Sequence, residues 1–255
     1  MKKGIIVASF GTTYHHTRQR TIGTIEEIVK REFPQYPVER AFTSSVVINK
    51  LRKEDIDIMD INGAMEKLAD SGVTDIYIQP LHIIPGIEYE KVLRAARDFM
   101  KSGRNTLVRV GTPLLWSEVD YMRTIDALAL DSGTTTVFMG HGSRHSADEA
   151  YERLEACFRK KGYENVHIGS LEGKRPLDEV LKVLKGRDER KVTLKPFMLV
   201  AGDHVENDMI SKENDSWKSM LSAEGFDVDV DLVPLGEVLG IQEMFISKLR
   251  EVVTS

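Results

Sequence analysis

One phrase occurs twice in this chain, and that repetition limits the fold more than any other feature. Residues 77–90 read Y-I-Q-P-L-H-I-I-P-G-I-E-Y-E, and residues 192–208 read V-T-L-K-P-F-M-L-V-A-G-D-H-V-E-N-D. Pro80 matches Pro196, Gly86 matches Gly202, Glu88 matches His204 and Glu90 matches Glu206, all at one offset of 116 residues. Each copy is an apolar run, then a glycine turn, then a polar side chain where a helix is expected to begin. A second echo, Thr112-Pro113-Leu114 against Val233-Pro234-Leu235, falls at a nearby offset of 121. The duplication therefore extends through both halves.

The flanking segments agree. In the first half, strands are expected at 5–9, 38–42, 75–84 and 106–110. Helices are expected at 17–33, 46–52, 61–71, 89–100 and 117–130. After Asp131-Ser132-Gly133 the order restarts, with strands at 135–139, 166–169, 192–200 and 228–232 and helices at 147–161, 177–184, 217–223 and 241–253. Strands alternating with helices predict an α/β fold with parallel sheets covered on both faces. The expectation is two similar doubly wound lobes, 1–131 and 132–255, from an internal duplication, with the active site in the cleft between them. The last helix is free to pack back on the first lobe.

Composition removes several function classes. Forty acidic against 35 basic residues give a net charge of −5, which supplies no electrostatic footprint for nucleic acid. No apolar run approaches the length of a spanning helix, and M-K-K-G-I-I-V-A-S-F-G fits a first strand better than a signal peptide. No membrane partner and a cytoplasmic location are the resulting expectations. The single cysteine, Cys157, excludes an internal disulfide and any multi-thiolate metal site. The chain has no G-x-S-x-G nucleophile elbow and no P-loop lysine motif, and the glycines after the first strand fall short of a dinucleotide fingerprint.

Ligands of open α/β sheets bind beyond the carboxyl ends of strands, so the loops there carry the reading. His141 stands between two glycines at one strand end, His204 at another, and Glu172 follows the strand between them. Two imidazoles and a carboxylate suit a divalent first-row metal with open positions. Glu88, the repeat partner of His204, is expected to face it from the first lobe, although a charge at a helix N-terminus explains it equally. His145 has a capping role and a site role open to it. Asp203 and Asp208 flank His204 as candidate acceptors for its ring. His82 and His167 read as core histidines.

The motifs Ser9-Phe10-Gly11-Thr12, Arg40-Ala41-Phe42-Thr43-Ser44, Leu81-His82-Ile83-Ile84 before Gly86, Glu88-Tyr89-Glu90-Lys91, Phe138-Met139-Gly140-His141-Gly142 and Met198-Leu199-Val200-Ala201-Gly202-Asp203-His204, with Asn207-Asp208-Met209 and Asp215-Ser216-Trp217-Lys218 beyond, closely resemble those of the anaerobic sirohydrochlorin cobaltochelatases. These are relatives of ferrochelatase with a two-lobed chelatase fold. The resemblance spans essentially the whole chain. It implies insertion of Co2+ into sirohydrochlorin for cobalamin synthesis, with no organic cofactor. By position, it implies metal ligands at His141, Glu172 and His204, a proton-accepting role for His141, and a catalytic carboxylate at Glu88. Local groups are then needed for the substrate's many carboxylates, and Ser9, Phe10, Gly11, Thr12, Thr13, Thr43, Ser44 and Arg144 are the candidates, with Arg18 as a further cation. Fe2+, Ni2+ or Zn2+ in place of cobalt, and a cytosolic metal or tetrapyrrole carrier without turnover, are the alternatives. Oligomeric state is left open.

Overall fold

The structure is a computed structural model and describes residues 2–254. The chain divides into two compact units, Met1–Trp116 with Ile241–Ser255, and Ser117–Gly240. In the first unit, β1 (Lys3–Ser9), β2 (Val38–Phe42), β3 (Asp75–Pro80) and β4 (Leu107–Val110) form a parallel sheet in the order β2-β1-β3-β4. Its helices include α1 (His15–Arg18), which runs through a π-helical turn, Gln19–Gly23, into α2 (Thr24–Glu32), then α3 (Ser45–Arg52), α4 (Ile61–Asp70) and α5 (Ile87–Lys101). The second unit holds α6 (Glu118–Leu128), β5 (Thr136–Gly140), α7 (Glu149–Lys160), β6 (Val166–Ser170), α8 (Leu177–Lys185), β7 (Lys191–Phe197), α9 (Trp217–Ala223) and β8 (Asp227–Val230). Its sheet order, β6-β5-β7-β8, repeats that of the first unit and is again all parallel. A last helix, α10 (Leu239–Thr254), ends the chain.

The sequence patterns explain these elements. Ile5 to Ala8 are fully buried because a central parallel strand is covered on both faces. Asp60 starts α4 by accepting the Gly63 amide at 2.8 Å, and Ser117 with Asp120 forms a capping box at the start of α6. Ile6, Ile78, Met65, Leu68 and Val92 anchor the core of the first unit, and Met139, Val180, Leu194, Trp217 and Leu221 anchor that of the second. Burying each such side chain contributes roughly 1.5–3 kcal/mol.

The backbone records the duplication bond by bond. The Leu114 amide donates to the His82 carbonyl at 2.9 Å, and its copy, the Leu235 amide, donates to Met198 at 2.9 Å. The Ser44 amide reaches the Phe10 carbonyl at 3.3 Å, as the Glu172 amide reaches His141 at 2.9 Å. Phe10, Ser44 and Glu88 thus hold in the first unit the stations of His141, Glu172 and His204 in the second.

Three expectations need correction. The unit boundary lies at Ser117 rather than at 132. Helix α6 packs on α7, with Glu118 paired to Lys160 at 2.9 Å and Ala127 tight against Gly240, all within the second unit. Helix α10 packs with the first, the placement left open for it, and there the buried Lys248 donates to Thr112 Oγ1 at 3.0 Å and Arg250 to Glu32 at 2.7 Å. An apolar helix face reads alike whichever sheet it covers, so periodicity does not assign it. The central strands also stop early, at Pro80 and Phe197 rather than at 84 and 200. Beyond those residues the backbone bonds to the 114–115 and 235–236 segments instead of continuing the ladder. Finally, the helix expected to begin at His204 is one π-helical turn, Val205–Met209, while α9 spans Trp217–Ala223 as expected.

Candidate active site

Gly140 ends β5 against Tyr151, where a Cβ would lie 2.8 Å from the tyrosine ring, so the strand end accepts no larger residue. Gly142, at φ +79, turns the chain back and leaves His141 at the bend. His204 starts the π-helical turn after β7. The structure brings these two rings together edge to face, with centroids 4.7 Å apart and planes at 86°.

Each ring is oriented by an acceptor at its Nδ1. His141 Nδ1 lies 3.0 Å from the Gly142 carbonyl oxygen, and His204 Nδ1 lies 2.8 Å from Asp208 Oδ2. Both partners only accept, so each Nδ1 donates to its partner. Of the two acids flanking His204, Asp208 is the one bonded to its ring, in the carboxylate–histidine arrangement that orients metal-binding imidazoles. The two imidazoles are thus in contact, each with its Nδ1 side turned to an acceptor.

Glu172 lies on the adjoining loop, exposed, with its backbone tied to His141. Among the described residues no group of three His, Cys, Asp or Glu side chains gathers to hold an ion, so Glu172 is not drawn in with the two imidazoles. His145 caps a short turn: its Nδ1 accepts the Ala147 amide at 3.1 Å. Arg144 is exposed. His167 is fully buried, 3.3 Å from Arg159 Nη2.

In the first unit, Glu88 sits in the first turn of α5. One carboxylate oxygen pairs with Lys91 at 2.6 Å, and the other is buried without a hydrogen-bond partner. His82 is buried, with Nε2 3.5 Å from Thr43 Oγ1 and Nδ1 unpartnered. Burial holds His82 down to about 4, against the attraction of Glu88 and with a smaller push from Lys91, so its ring is neutral near pH 7. Among the substrate candidates, Ser9 is fully buried with an unpartnered hydroxyl, and Ser44 uses its hydroxyl to cap α3 at the Val47 amide. Thr12 accepts the Tyr14 amide, and Phe10 stands 44% exposed at the β1 end. Gly11, at φ +94, lies so close to Phe42 that a Cβ would come within 2.3 Å of the ring. Thr43 lines a hollow of mixed polarity with Ser45, Ile48, Asn49, Arg52 and Met59.

Sequence reasoning missed two carboxylates. Asp148, 4% exposed, accepts the amides of Ser143 and Lys174. Glu155 accepts from Arg175 Nη2 at 3.0 Å and from the Ile168 amide at 2.8 Å. Burial raises the Glu155 carboxyl, but His167, Arg175 and the Ile168 amide outweigh it and hold it down to about 2. In the sequence both acids read only as charges on the polar side of a helix.

The fold is that of the chelatases. The structure of SirB from Bacillus subtilis with Fe3+ matches 99% of this chain and 96% of its own at a TM-score of 0.69, with 16% identity. A second SirB structure, in complex with cobalt, matches at a TM-score of 0.64 over 100% and 96%, with 15% identity. A family model described as cobalt chelatase (CbiK) covers residues 3–254, and the chain belongs to that family. The sirohydrochlorin cobaltochelatase of Salmonella typhimurium is 38% identical over 98% of this chain and 96% of its own length. Sirohydrochlorin cobaltochelatase CbiKC of Nitratidesulfovibrio vulgaris is 34% identical over 100% and 92%.

Proposed function

We propose that the protein inserts Co2+ into sirohydrochlorin, releasing the two pyrrole protons. The observation that carries this reading is the pair of touching imidazoles at neighbouring strand ends, each oriented through its Nδ1, in a chain of the cobalt chelatase family. Insertion requires an ion held firmly enough to be positioned and loosely enough to be surrendered. Neutral imidazoles meet that need: they replace water on the ion without cancelling its charge. Glu172 is the proposed third ligand, supplied by a movement of its exposed side chain.

The macrocycle's nitrogens exchange two N–H bonds for bonds to cobalt, so two bases must take protons. His141 takes one as the ion leaves its Nε2. Glu88 is the proposed second base, and its buried, unpartnered oxygen is the acceptor atom. The hydroxyls of Thr13 and Thr43 and the guanidinium of Arg144 are proposed to hold substrate carboxylates. The protein is proposed to act in the cytoplasm.

The test is anaerobic: sirohydrochlorin and Co2+ with a catalytic amount of protein, followed by visible absorption. Many turnovers above the spontaneous rate are expected. A single stoichiometric burst would make the protein a carrier, and faster metallation with Fe2+ or Ni2+ than with Co2+ would reassign the metal. Glu88→Gln is expected to lower kcat on the order of a hundredfold, the range of a lost general base, with Co2+ binding unchanged.

A further inference from the structure

We propose that Asp148 is a positioning residue for this reaction: it turns the Gly142–Ser143 peptide so that the Gly142 carbonyl fixes the tautomer of His141. The carboxylate is 4% exposed and makes two charge-assisted bonds, accepting the Ser143 amide at Oδ1 (2.9 Å) and the Lys174 amide at Oδ2 (2.7 Å). The Ser143 N–H and the Gly142 C=O belong to one peptide plane, and no peptide bond among the described residues is cis. In a trans peptide these groups point in opposite directions. With the N–H drawn toward Asp148, the carbonyl is aimed away from it, and that carbonyl meets His141 Nδ1 at 3.0 Å. Nδ1 is thereby the nitrogen held by the backbone, and Nε2 is the proposed donor to the ion.

The same carboxylate joins two loops. Lys174 follows Glu172 by two residues, so Asp148 ties the loop after β5 to the loop after β6. The junction is close: a Cβ on Gly173 would lie 2.4 Å from Asp148 Oδ1 and 2.3 Å from Ser170 Oγ, and a Cβ on Gly142 would lie 2.4 Å from the Gly173 nitrogen. Only glycines allow this approach.

The first unit shows the alternative. There the equivalent loop is held by Arg18, also 4% exposed, whose Nη1 donates to the Thr12 carbonyl at 2.9 Å and the Thr13 carbonyl at 3.4 Å. A cation draws in the carbonyls and an anion draws in the amides. The unit with the anion is the one that carries the histidine.

The inference rests on the assignment of His141 and His204 as metal donors, but its first test uses no metal. Nitrogen-15 NMR of the imidazoles reads the tautomer directly. Wild-type protein is expected to show His141 protonated at Nδ1, and Asp148→Ala to show substantial population of the Nε2-protonated form. Co2+ alone, titrated by calorimetry and by its visible absorption, is expected to bind about tenfold more weakly to the variant with an altered spectrum, the lower end for a lost supporting contact. The isosteric Asp148→Asn, which loses one of the two acceptors, carries the test should Asp148→Ala not fold by circular dichroism. A variant that lowers Tm yet keeps both the Nδ1 tautomer and the wild-type cobalt spectrum would overturn the proposal. Unchanged cobalt binding in His141→Ala and His204→Ala would instead overturn the metal assignment, leaving the tautomer result to stand by itself.

Discussion

The two units share a strand order and matching loop hydrogen bonds, yet their strand ends differ in chemistry at every corresponding station. Where the second unit has His141, the first has Phe10; for Glu172 it has Ser44, and for His204 it has Glu88. The buried clamp behind the first loop is Asp148 in one and Arg18 in the other. Each unit also ties a helix carboxylate to an arginine, Glu26 to Arg40 and Glu155 to Arg175. The difference teaches that the backbone plan sets where functional groups stand, while a few side chains decide what each station does. In the proposed reaction, two copies free one unit to bind metal and the other to offer a base.

The strongest test imports the first unit's residues into the second. His141→Phe and His204→Glu are expected to lower cobalt insertion on the order of a thousandfold, within the range of a lost base or ligand, while circular dichroism stays native. Normal turnover in either would break the contrast at its centre.

Acid separates the units next. Glu155, held down to about 2 from 4.5, contributes on the order of 3 kcal/mol that is fully present above pH 4.5 and lost as pH falls through about 2. His82, neutral when buried, costs stability over a higher window as pH falls from 6.5 to about 4, because the unfolded chain takes up the proton first. Hydrogen exchange, corrected for its intrinsic pH dependence, is expected to quicken in peptides of the first unit at higher pH than in the second. Simultaneous onset would count against it.

Asp208→Ala removes the acceptor that holds the His204 ring, and Co2+ affinity measured by calorimetry is expected to fall roughly 10- to 100-fold. The smallest effect is a gain: Phe10→His with Glu88→His gives the first unit the second's pair of imidazoles. A second cobalt equivalent, weaker than the first by at least about tenfold for want of a carboxylate and an Asp148-like clamp, is expected in the same titration. No second equivalent would show that matched stations alone do not make a donor pair.

Much of this was legible in the chain. The offset of 116 residues between Glu88 and His204 located two matching strand ends, and the glycines around His141 marked a third. Alternating apolar runs gave the parallel α/β class, because their period reflects burial directly. Helix ownership was not legible, since α6 and α10 carry apolar faces that suit either sheet. Asp148 was hidden for a related reason. An acid at the start of a helix is expected there on dipole grounds alone, and only coordinates show its oxygens turned onto two loop amides. Glu172 reads as a residue of the loop after β6, but side-chain direction at an exposed position leaves no periodic trace.

The exchange of terminal helices has an outcome for synthesis. The second unit is one uninterrupted stretch, Ser117–Gly240, whereas the first is closed by Ile241–Ser255. On the ribosome, the second unit therefore has its full complement of residues while its older neighbour still awaits a helix. The part translated first is the part finished last.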